Sequence, residues 1–208
     1  MKRQVILIAA AVILLSVEAT AQNQEVKTIF KGGLKSSGGY GAAMNKFTTI
    51  RGKYANIAGI YGGWYLNHKF LLGIEMAAVA NNIRVPQEFS VDPNRTLSYE
   101  YGQAGLRTEY VVNSGKPIHL AFHLFAGAGF TVQYDRYSWD DHDHLQDHSS
   151  NWFFVTEPGV QLEVNVFKWM RFSPGVSYRA AFGSDAPGMK DKDVSNISYN
   201  ATLKFGKF

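Results

Sequence analysis

The sequence predicts an all-β fold, an eight-stranded antiparallel up-and-down transmembrane β-barrel that follows a cleaved signal peptide. Three observations carry this prediction. One long stretch alternates apolar and polar residues, eight such stretches follow one another at regular spacing, and the segments that join them alternate between short turns and long polar loops. Together they are typical of barrels that cross a membrane with strands.

The longest alternation covers residues 118–135. Its even positions are apolar, whereas its odd positions include His119, His123 and Gln133. The period of two continues well beyond the ~5–6 residues of an ordinary globular strand. Because a tilted strand crosses a bilayer with only ~9–11 residues, this segment is long enough to span a membrane and project beyond it.

The same pattern predicts eight strands, at residues 36–47, 53–66, 69–83, 97–113, 117–135, 151–166, 169–183 and 195–206. Short turns join them at 67–68, 113–116 and 167–168, and long polar loops join them at 84–96, 136–150 and 184–194, with a shorter loop near 46–52. In bacterial outer-membrane barrels the short turns are periplasmic and the long loops extracellular. Pro158 and Pro174 fall within strands and cannot donate to a ladder, so we expect a β-bulge at each.

The N-terminal segment predicts export. Lys2 and Arg3 precede an apolar stretch, and Ala19, Thr20 and Ala21 supply the small residues of a cleavage site. The expected organisation is a signal peptide at 1–21, an N-terminal segment at 22–35 and an outer-membrane barrel at 36–208.

Composition excludes several classes of protein. The chain of 208 residues has no cysteine, so neither a disulfide framework nor thiol chemistry is expected. A net charge of +4 is too small and too scattered to predict a nucleic-acid partner. No stretch after the signal peptide approaches ~18 consecutive apolar residues, so we expect no transmembrane helix. We also expect no cofactor.

The two faces of the predicted strands differ in kind. One face is apolar, with aromatic residues towards the strand ends, and we expect it to contact lipid. The other face is expected to form a polar network in the lumen from Glu75, Arg107, Glu109, His119, His123, Glu157, Glu163, Arg171, Arg179 and Lys204. Its four glutamates balance its three arginines and one lysine. We expect this balance in a narrow interior, because burying isolated charges there is costly.

The two lumen histidines are separated by four residues and therefore by about 13 Å along a strand. That distance is too large for His119 and His123 to share one metal ion. We expect them instead to form hydrogen bonds with carboxylates of the lumen.

A soluble, periplasmic, lipocalin-like barrel is an alternative, and it would bind a ligand inside. Such a barrel keeps apolar residues within and spreads lysines over its outer surface. Here nearly every lysine after the signal peptide is predicted to lie in a turn, a loop or the N-terminal segment, with Lys204 and Lys207 the main exceptions. The pattern favours an apolar outside, and an eight-stranded interior is only wide enough to be filled by side chains.

The loop at 136–150 holds the densest group of candidate metal ligands: Asp141, His142, Asp143, His144 and His148. Imidazole and carboxylate suit zinc, copper or nickel, although the spacing matches no established motif and Asp-rich loops are usually only solvated. A pH-responsive loop is a second interpretation, because histidine titrates near ~6.5. Flanking serines also allow an outer-membrane acyl hydrolase at this rim, but nothing fixes the geometry of a nucleophile and a base. We expect no enzymatic activity.

Two segments resemble a known group of proteins. GGYGAAMNKF at 38–47 and YGGWYLNHKFLLGIE at 61–75, with the pattern over 36–208, resemble the small eight-stranded outer-membrane barrels of the OmpA/OmpX-like superfamily. The resemblance implies an integral protein in the outer membrane of a Gram-negative bacterium, in contact with outer-membrane lipid. It further implies a structural role, or a surface-interaction role in which extracellular loops bind an extracellular or envelope protein.

The resemblance also implies that the barrel assembly machinery recognises a C-terminal strand that ends in an aromatic residue, here Phe208. Phe208 is out of phase with the outward-facing Phe205. We therefore expect either a bulge near Gly206 or recognition through Phe205 instead.

Overall fold

The computed structural model describes residues 37–135 and 150–208, which form a closed antiparallel β-barrel. The elements in chain order are β1 (Ser37–Ile50), β2 (Lys53–Leu66), β3 (Phe70–Val79), β4 (Ile83–Arg84), a 3₁₀ turn (Gln87–Phe89), β5 (Ser98–Val112), β6 (Ile118–Tyr134), β7 (Asn151–Phe167), β8 (Met170–Phe182), β9 (Asp185–Ala186), β10 (Met189–Lys190), α1 (Asp191–Val194) and β11 (Asn196–Lys207). Each of the eight long strands pairs with the next long strand, and β11 closes the barrel on β1. The predicted eight-stranded antiparallel barrel is confirmed.

Helical segments are short in the described part of the chain, and none has the length and apolar composition of a membrane span. The two-residue strand β4 pairs with the start of β5 and belongs to the sheet of the barrel, whereas β9 and β10 pair with each other in the connection before β11. We call the end with the turns 67–69, 113–117 and 168–169 the short-turn end. The end with the connections 51–52, 80–97, 135–150 and 183–195 is the long-loop end.

Strand alternation separates an inner face from an outer face. On β6, His119 and His123 are buried on the inner face, whereas Ile118 and Phe122 are about half exposed on the outer face. The outer face of the other strands is apolar as well, with Ile74 63% exposed. Exposed aromatic residues flank this apolar band, among them Trp64, Phe167 and Trp169 near the short-turn end and Tyr54, Trp152 and Phe182 near the long-loop end.

The predicted strand limits differ from the observed ones by more than one residue at two places. β1 runs three residues past its predicted end, so the loop expected near 46–52 is a two-residue turn at Arg51 and Gly52. Both residues have positive φ, 52° and 68°, as the tight hairpin turn between two twisted strands requires. β3 ends four residues earlier than predicted, at Val79.

The bulges expected at Pro158 and Pro174 do not form. Pro158 pairs with Leu124 on β6 and Pro174 pairs with Ala201 on β11, with an unchanged register on either side. In an antiparallel ladder each residue directs its amide towards only one neighbouring strand, so a proline is tolerated where the other neighbour supplies the pairing. The prediction was wrong because the missing amide of a proline affects only one of the two ladders that its strand forms.

Both prolines affect the same boundary, the one between β7 and β8. Pairing between these strands is interrupted at residues 157–158, where Pro158 lies, and again at 162–163, opposite Pro174 and its neighbour, while the register is kept. The shift of register that does occur lies elsewhere, between Asn165 and Phe167. The β7–β8 boundary therefore has fewer backbone hydrogen bonds than its length allows.

Backbones approach closely where two glycines face each other across strands. Gly105 on β5 pairs with Gly127 on β6. A Cβ atom added to Gly127 would lie 2.6 Å from the Cα of Gly105 and 2.9 Å from the carbonyl carbon of Ala104, closer than real Cβ contacts. Side chains are excluded there by the opposite backbone.

Candidate functional site

The lumen contains a chain of ion pairs that begins at Lys46 on β1. Its Nζ atom lies 2.9 Å from Oε1 of Glu75 and 2.8 Å from Oε2 of Glu157. Arg107 then joins Glu75 to Glu109. Its Nη1 atom lies 2.7 Å from Oε2 of Glu75. Its Nη2 and Nε atoms lie 2.7 Å and 3.0 Å from Oε1 of Glu109. All five side chains are almost completely buried. Charge-assisted hydrogen bonds of this kind satisfy groups that would otherwise be costly to bury.

The chain continues towards the short-turn end through Lys204 on β11. Lys204 contacts Glu109 at 2.6 Å and also pairs with Glu163. The Oε2 atom of Glu163 lies 2.8 Å from Nε2 of His119 and accepts a hydrogen bond of 3.0 Å from Nη1 of Arg171. One connected series of alternating charges thus extends from Glu157 to Arg171.

The structure brings together eight of the ten predicted lumen residues in this series and adds one that was not predicted. The added residue is Lys46, which the sequence interpretation placed at the edge of a loop. With it the buried lumen holds five arginine and lysine side chains against four glutamates, so its formal charge is +1 with neutral histidines instead of the expected zero.

The remaining two predicted residues, Arg179 and His123, are buried but lie apart from the series. Arg179 donates from Nε to the carbonyl of Val194 at 2.9 Å, and its guanidinium lies 4.9 Å from the ring centre of Tyr101. The Nδ1 atom of His123 has no hydrogen-bond partner among the described residues. The hydrogen bond that we expected from His123 to a lumen carboxylate is therefore not found there.

Tyrosines form a second component of the lumen that the sequence interpretation missed. Tyr61 lies under Arg107, with 4.4 Å between the guanidinium carbon and the ring centre, and Tyr40 lies 5.4 Å from Nζ of Lys204. The hydroxyl of Tyr40 also donates to Glu109. For Tyr61 the alternation along β2 was the available signal, whereas the phase of β1, which carries Tyr40, is not evident from the sequence.

At the long-loop end, the connections fold inward over the rim of the barrel. Arg51 donates to the carbonyl of Gly188 and its guanidinium lies 4.6 Å from the ring centre of Phe89. The hydroxyl of Tyr99 donates to the carbonyl of Pro187 at 2.8 Å. These contacts attach the connections 80–97 and 183–195 to the strand ends.

Further contacts hold the same two connections. Gln133 donates to the carbonyl of Phe89 at 2.8 Å and accepts from the amide of Val91 at 3.1 Å. On the solvent side Lys190 pairs with Asp185, and this hydrogen bond lowers the pKa of the Asp185 carboxyl. The described part of the long-loop end is therefore an ordered surface.

At the short-turn end, Phe208 turns inward. No shift of register separates β11 from β1, so the bulge expected near Gly206 is absent from this pairing. The ring of Phe208 lies 4.0 Å from the guanidinium carbon of Arg171 and 5.1 Å from the ring of Tyr40. Phe205 remains the outward-facing aromatic residue of β11, at 40% exposure.

The predicted metal ligands Asp141, His142, Asp143, His144 and His148 lie outside the described residues. Within 37–135 and 150–208, no group of three or more His, Cys, Asp or Glu side chains is arranged to hold a metal ion.

An apolar, exposed outer face around a charged, closed lumen defines the class of membrane-spanning β-barrels. No protein-family model matches the chain, and no curated protein matches it significantly. Solved structures do match. The chain has the fold of the small eight-stranded outer-membrane barrels of Gram-negative bacteria, in agreement with the predicted location.

One such structure is Neisserial surface protein A, with 10% identity and a TM-score of 0.57 over 83% of this chain and 97% of the other. The N-terminal β-barrel domain of Pseudomonas aeruginosa OprF matches with 10% identity and a TM-score of 0.49, over 81% and 96% of the two chains. Ail, the attachment invasion locus protein of Yersinia pestis, matches with 13% identity and a TM-score of 0.46, over 83% and 98%. At these identities the likeness concerns the fold.

Proposed function

We propose that this barrel is a non-catalytic outer-membrane protein with a filled lumen, which acts in envelope structure or in surface interaction through its long-loop end. The observation that carries the proposal is the ion-paired lumen inside an apolar outer face. A barrel built in this way is stable in lipid but offers little room for transport.

The ion pairs cross the lumen rather than follow one wall. Lys46 on β1 contacts Glu157 on β7, and Lys204 on β11 contacts Glu109 on β5, although neither pair of strands is adjacent in the barrel. A solute of appreciable size would have to break these buried pairs in order to pass. Breaking a buried pair typically costs several kcal/mol, about 3–5 when one partner is lost.

The orientation follows from the lengths of the connections. Short turns belong to the periplasmic side in bacterial outer-membrane barrels, so the long-loop end faces outward. Connections 80–97 and 183–195 are attached to the rim there by Arg51, Tyr99 and Gln133. A surface that is already ordered loses little conformational entropy on binding, which favours an extracellular or envelope protein as partner.

The two alternatives, a lipocalin-like barrel and an acyl hydrolase, depend on different parts of the chain. A lipocalin-like barrel needs an apolar interior, whereas this lumen buries nine arginine, lysine and glutamate side chains. The acyl-hydrolase alternative depends on loop 136–150, and residues 136–149 lie outside the described residues. The proposal therefore does not include it.

Recognition by the barrel assembly machinery is also part of the proposal, with Phe205 rather than Phe208 as the aromatic residue that is presented to it. Phe205 faces outward on β11, whereas Phe208 contacts Arg171 inside the barrel. Replacing Phe205 with alanine should therefore slow assembly more than replacing Phe208. The measurement is the rate at which the heat-modifiable form appears in the outer membrane after a pulse of synthesis. A larger delay in the Phe208→Ala variant would contradict this assignment.

The main test is expression of the full-length chain in a Gram-negative host, followed by isolation of outer membranes. We expect a mobility difference between boiled and unboiled samples on an SDS gel, because a folded barrel resists the detergent. The same preparation in planar bilayers should show no large, steady conductance. Recovery of the protein in the soluble periplasmic fraction would refute the membrane assignment, and a stable open channel would refute the filled lumen.

A further inference from the structure

We propose that the short-turn end binds the headgroups of anionic phospholipids through a ring of exposed lysines. The lysine rim consists of Lys69, Lys116, Lys168 and Lys207. The inference rests on the proposed function, which places this end at the periplasmic surface of the membrane. It adds a lipid class for which the barrel has a preference.

The four lysines come from three turns and from the end of β11, and all four are exposed. No ion pair joins any of them to another described residue. Their amines are therefore available to an external anion.

Acidic residues do not balance the rim. At the short-turn end the described acidic residues are Glu109 and Glu163, and both are buried in the lumen and paired with cations. The long-loop end differs, because there Lys190 pairs with Asp185 and Arg95 lies 3.3 Å from Asp92. Positive charge without a counter-charge is thus a property of one end of the described barrel.

The lysines lie at the level of aromatic side chains that face lipid. Lys168 stands between Phe167 and Trp169, whose stacked rings are 5.6 Å apart and are each 56% exposed. Trp169 also stacks on Phe205, which lies two residues before Lys207 in the chain, with 6.1 Å between the ring centres. Aromatic rings of this kind favour the headgroup region, and lysine stems extend along apolar surface to place their amines among the phosphates.

A cleft beside Lys168 provides space for a headgroup. It has a volume of about 710 Å³ and lies between the turn 113–117 and the turn 168–169. Arg171 and Phe208 also line it, as do Gly115, Pro117 and Asn165. The cleft thus combines Lys168, which has no ion pair with a described residue, with polar backbone next to the lipid-facing surface, while the charge of Arg171 is already paired with Glu163. A phosphate ester that also carries acyl chains fits this combination better than free phosphate does.

The expected preference for anionic lipid follows from the charge of the rim lysines alone. A basic side chain near an anionic membrane surface contributes about 1 kcal/mol, which corresponds to roughly a fivefold preference. Partial screening by salt reduces this value, since the Debye length is only ~8 Å at physiological ionic strength. An enrichment of anionic lipid at the rim of about twofold to fivefold is therefore expected.

Trp169 makes this enrichment measurable. The full chain is refolded into phosphatidylcholine vesicles with Trp169 as the sole tryptophan, the other three being changed to phenylalanine. Quenching is compared between vesicles with the same fraction of brominated phosphatidylglycerol or brominated phosphatidylcholine. Both leaflets have the same composition, so the direction of insertion does not affect the result. A matched protein with Trp152 as the sole tryptophan reports on the long-loop end.

We expect Trp169 to be quenched about twofold to fivefold more effectively by the anionic lipid, and Trp152 to show no such preference. Changing all four rim lysines to glutamine should remove the difference at Trp169. The control variant, in which Lys53, Arg84 and Lys192 at the long-loop end become glutamine, should retain it. Inorganic phosphate at constant ionic strength should not compete.

Equal quenching by the two lipids in an inserted barrel would overturn the inference and leave the proposed function intact. A preference that survives loss of the rim lysines would overturn it as well. Competition by inorganic phosphate would show that the cleft binds the free ion rather than a lipid. A chain that fails to insert, judged by the absence of the gel shift, would refute the proposed function and the inference together.

Discussion

Replacement of Lys46 by methionine should be among the most destabilising single changes in the barrel. Methionine keeps most of the length of the side chain but removes the charge that lies 2.9 Å from Glu75 and 2.8 Å from Glu157. Glu75 keeps its ion pair with Arg107 at 2.7 Å. Glu157 keeps hydrogen bonds from the hydroxyl of Ser177 at 2.6 Å and from the side-chain amide of Gln103 at 3.4 Å, but no ion pair with another described residue. The penalty therefore falls mainly on Glu157, which is 1% exposed.

Removing one partner of a buried ion pair costs about 3–5 kcal/mol. A loss of 3 kcal/mol already changes the unfolding equilibrium by more than about a hundredfold. A second change, Glu157→Gln, removes the charge left without its lysine while keeping the side chain able to accept from Ser177. The double variant Lys46→Met with Glu157→Gln should therefore recover at least half of the lost stability.

The assay is reversible urea unfolding of the refolded protein in lipid vesicles, followed by tryptophan fluorescence. Lys53→Met is the matched control, because Lys53 is exposed at the start of β2 and should shift the free energy of unfolding by no more than about 0.5 kcal/mol. Equal stability of the Lys46 and Lys53 variants would refute the ion-pair account. The ion-pair account would also be refuted if the double variant were no more stable than the single Lys46 variant.

Three further predictions concern other parts of the chain. Arg107→Leu should lower the free energy of unfolding by about 3–5 kcal/mol because two buried carboxylates lose their shared partner, and near-normal heat resistance on SDS gels would contradict this. Gly127→Ala should destabilise the barrel by about 1–3 kcal/mol through contact with the opposite backbone, whereas Gly115→Ala, which has open space around it, should be neutral in the same urea titration. Calorimetry with zinc should give a signal that disappears when three loop histidines are changed together to alanine, and an unchanged isotherm would eliminate the loop as a site. The substitutions are His142→Ala, His144→Ala and His148→Ala.

The fold could be predicted from the sequence because strand alternation is a local signal. On β6 the apolar even positions and the polar odd positions indicate which side chains share a face, without reference to any other strand. The same signal identified Arg107 and Glu109 as neighbours on one face of β5. The buried side chains of a strand can therefore be predicted once the phase of its alternation is known.

Lys46 shows where this signal fails. In the segment MNKFTTI the inward-facing residues Met44, Lys46 and Thr48 are no more polar than the outward-facing residues between them, so the phase of β1 is ambiguous. Its partners Glu75 and Glu157 are 29 and 111 residues away in the chain. Which lysine meets which glutamate depends on the closure of the barrel, which no local pattern encodes.

Pro158 and Pro174 show a different limit. The sequence indicates that each lacks an amide donor, but not which neighbouring strand that amide would have faced. Only the register reveals that both gaps fall between β7 and β8.

The uneven distribution of hydrogen bonds around the barrel has a mechanical consequence. The nine pairs between β7 and β8 fall into three runs of three, the last with a shift of register, whereas the nine pairs between β11 and β1 form one unbroken run. A short run opens under a smaller load than a long one, because fewer neighbouring bonds share the load. The two prolines thus divide the β7–β8 boundary into segments that can open one at a time.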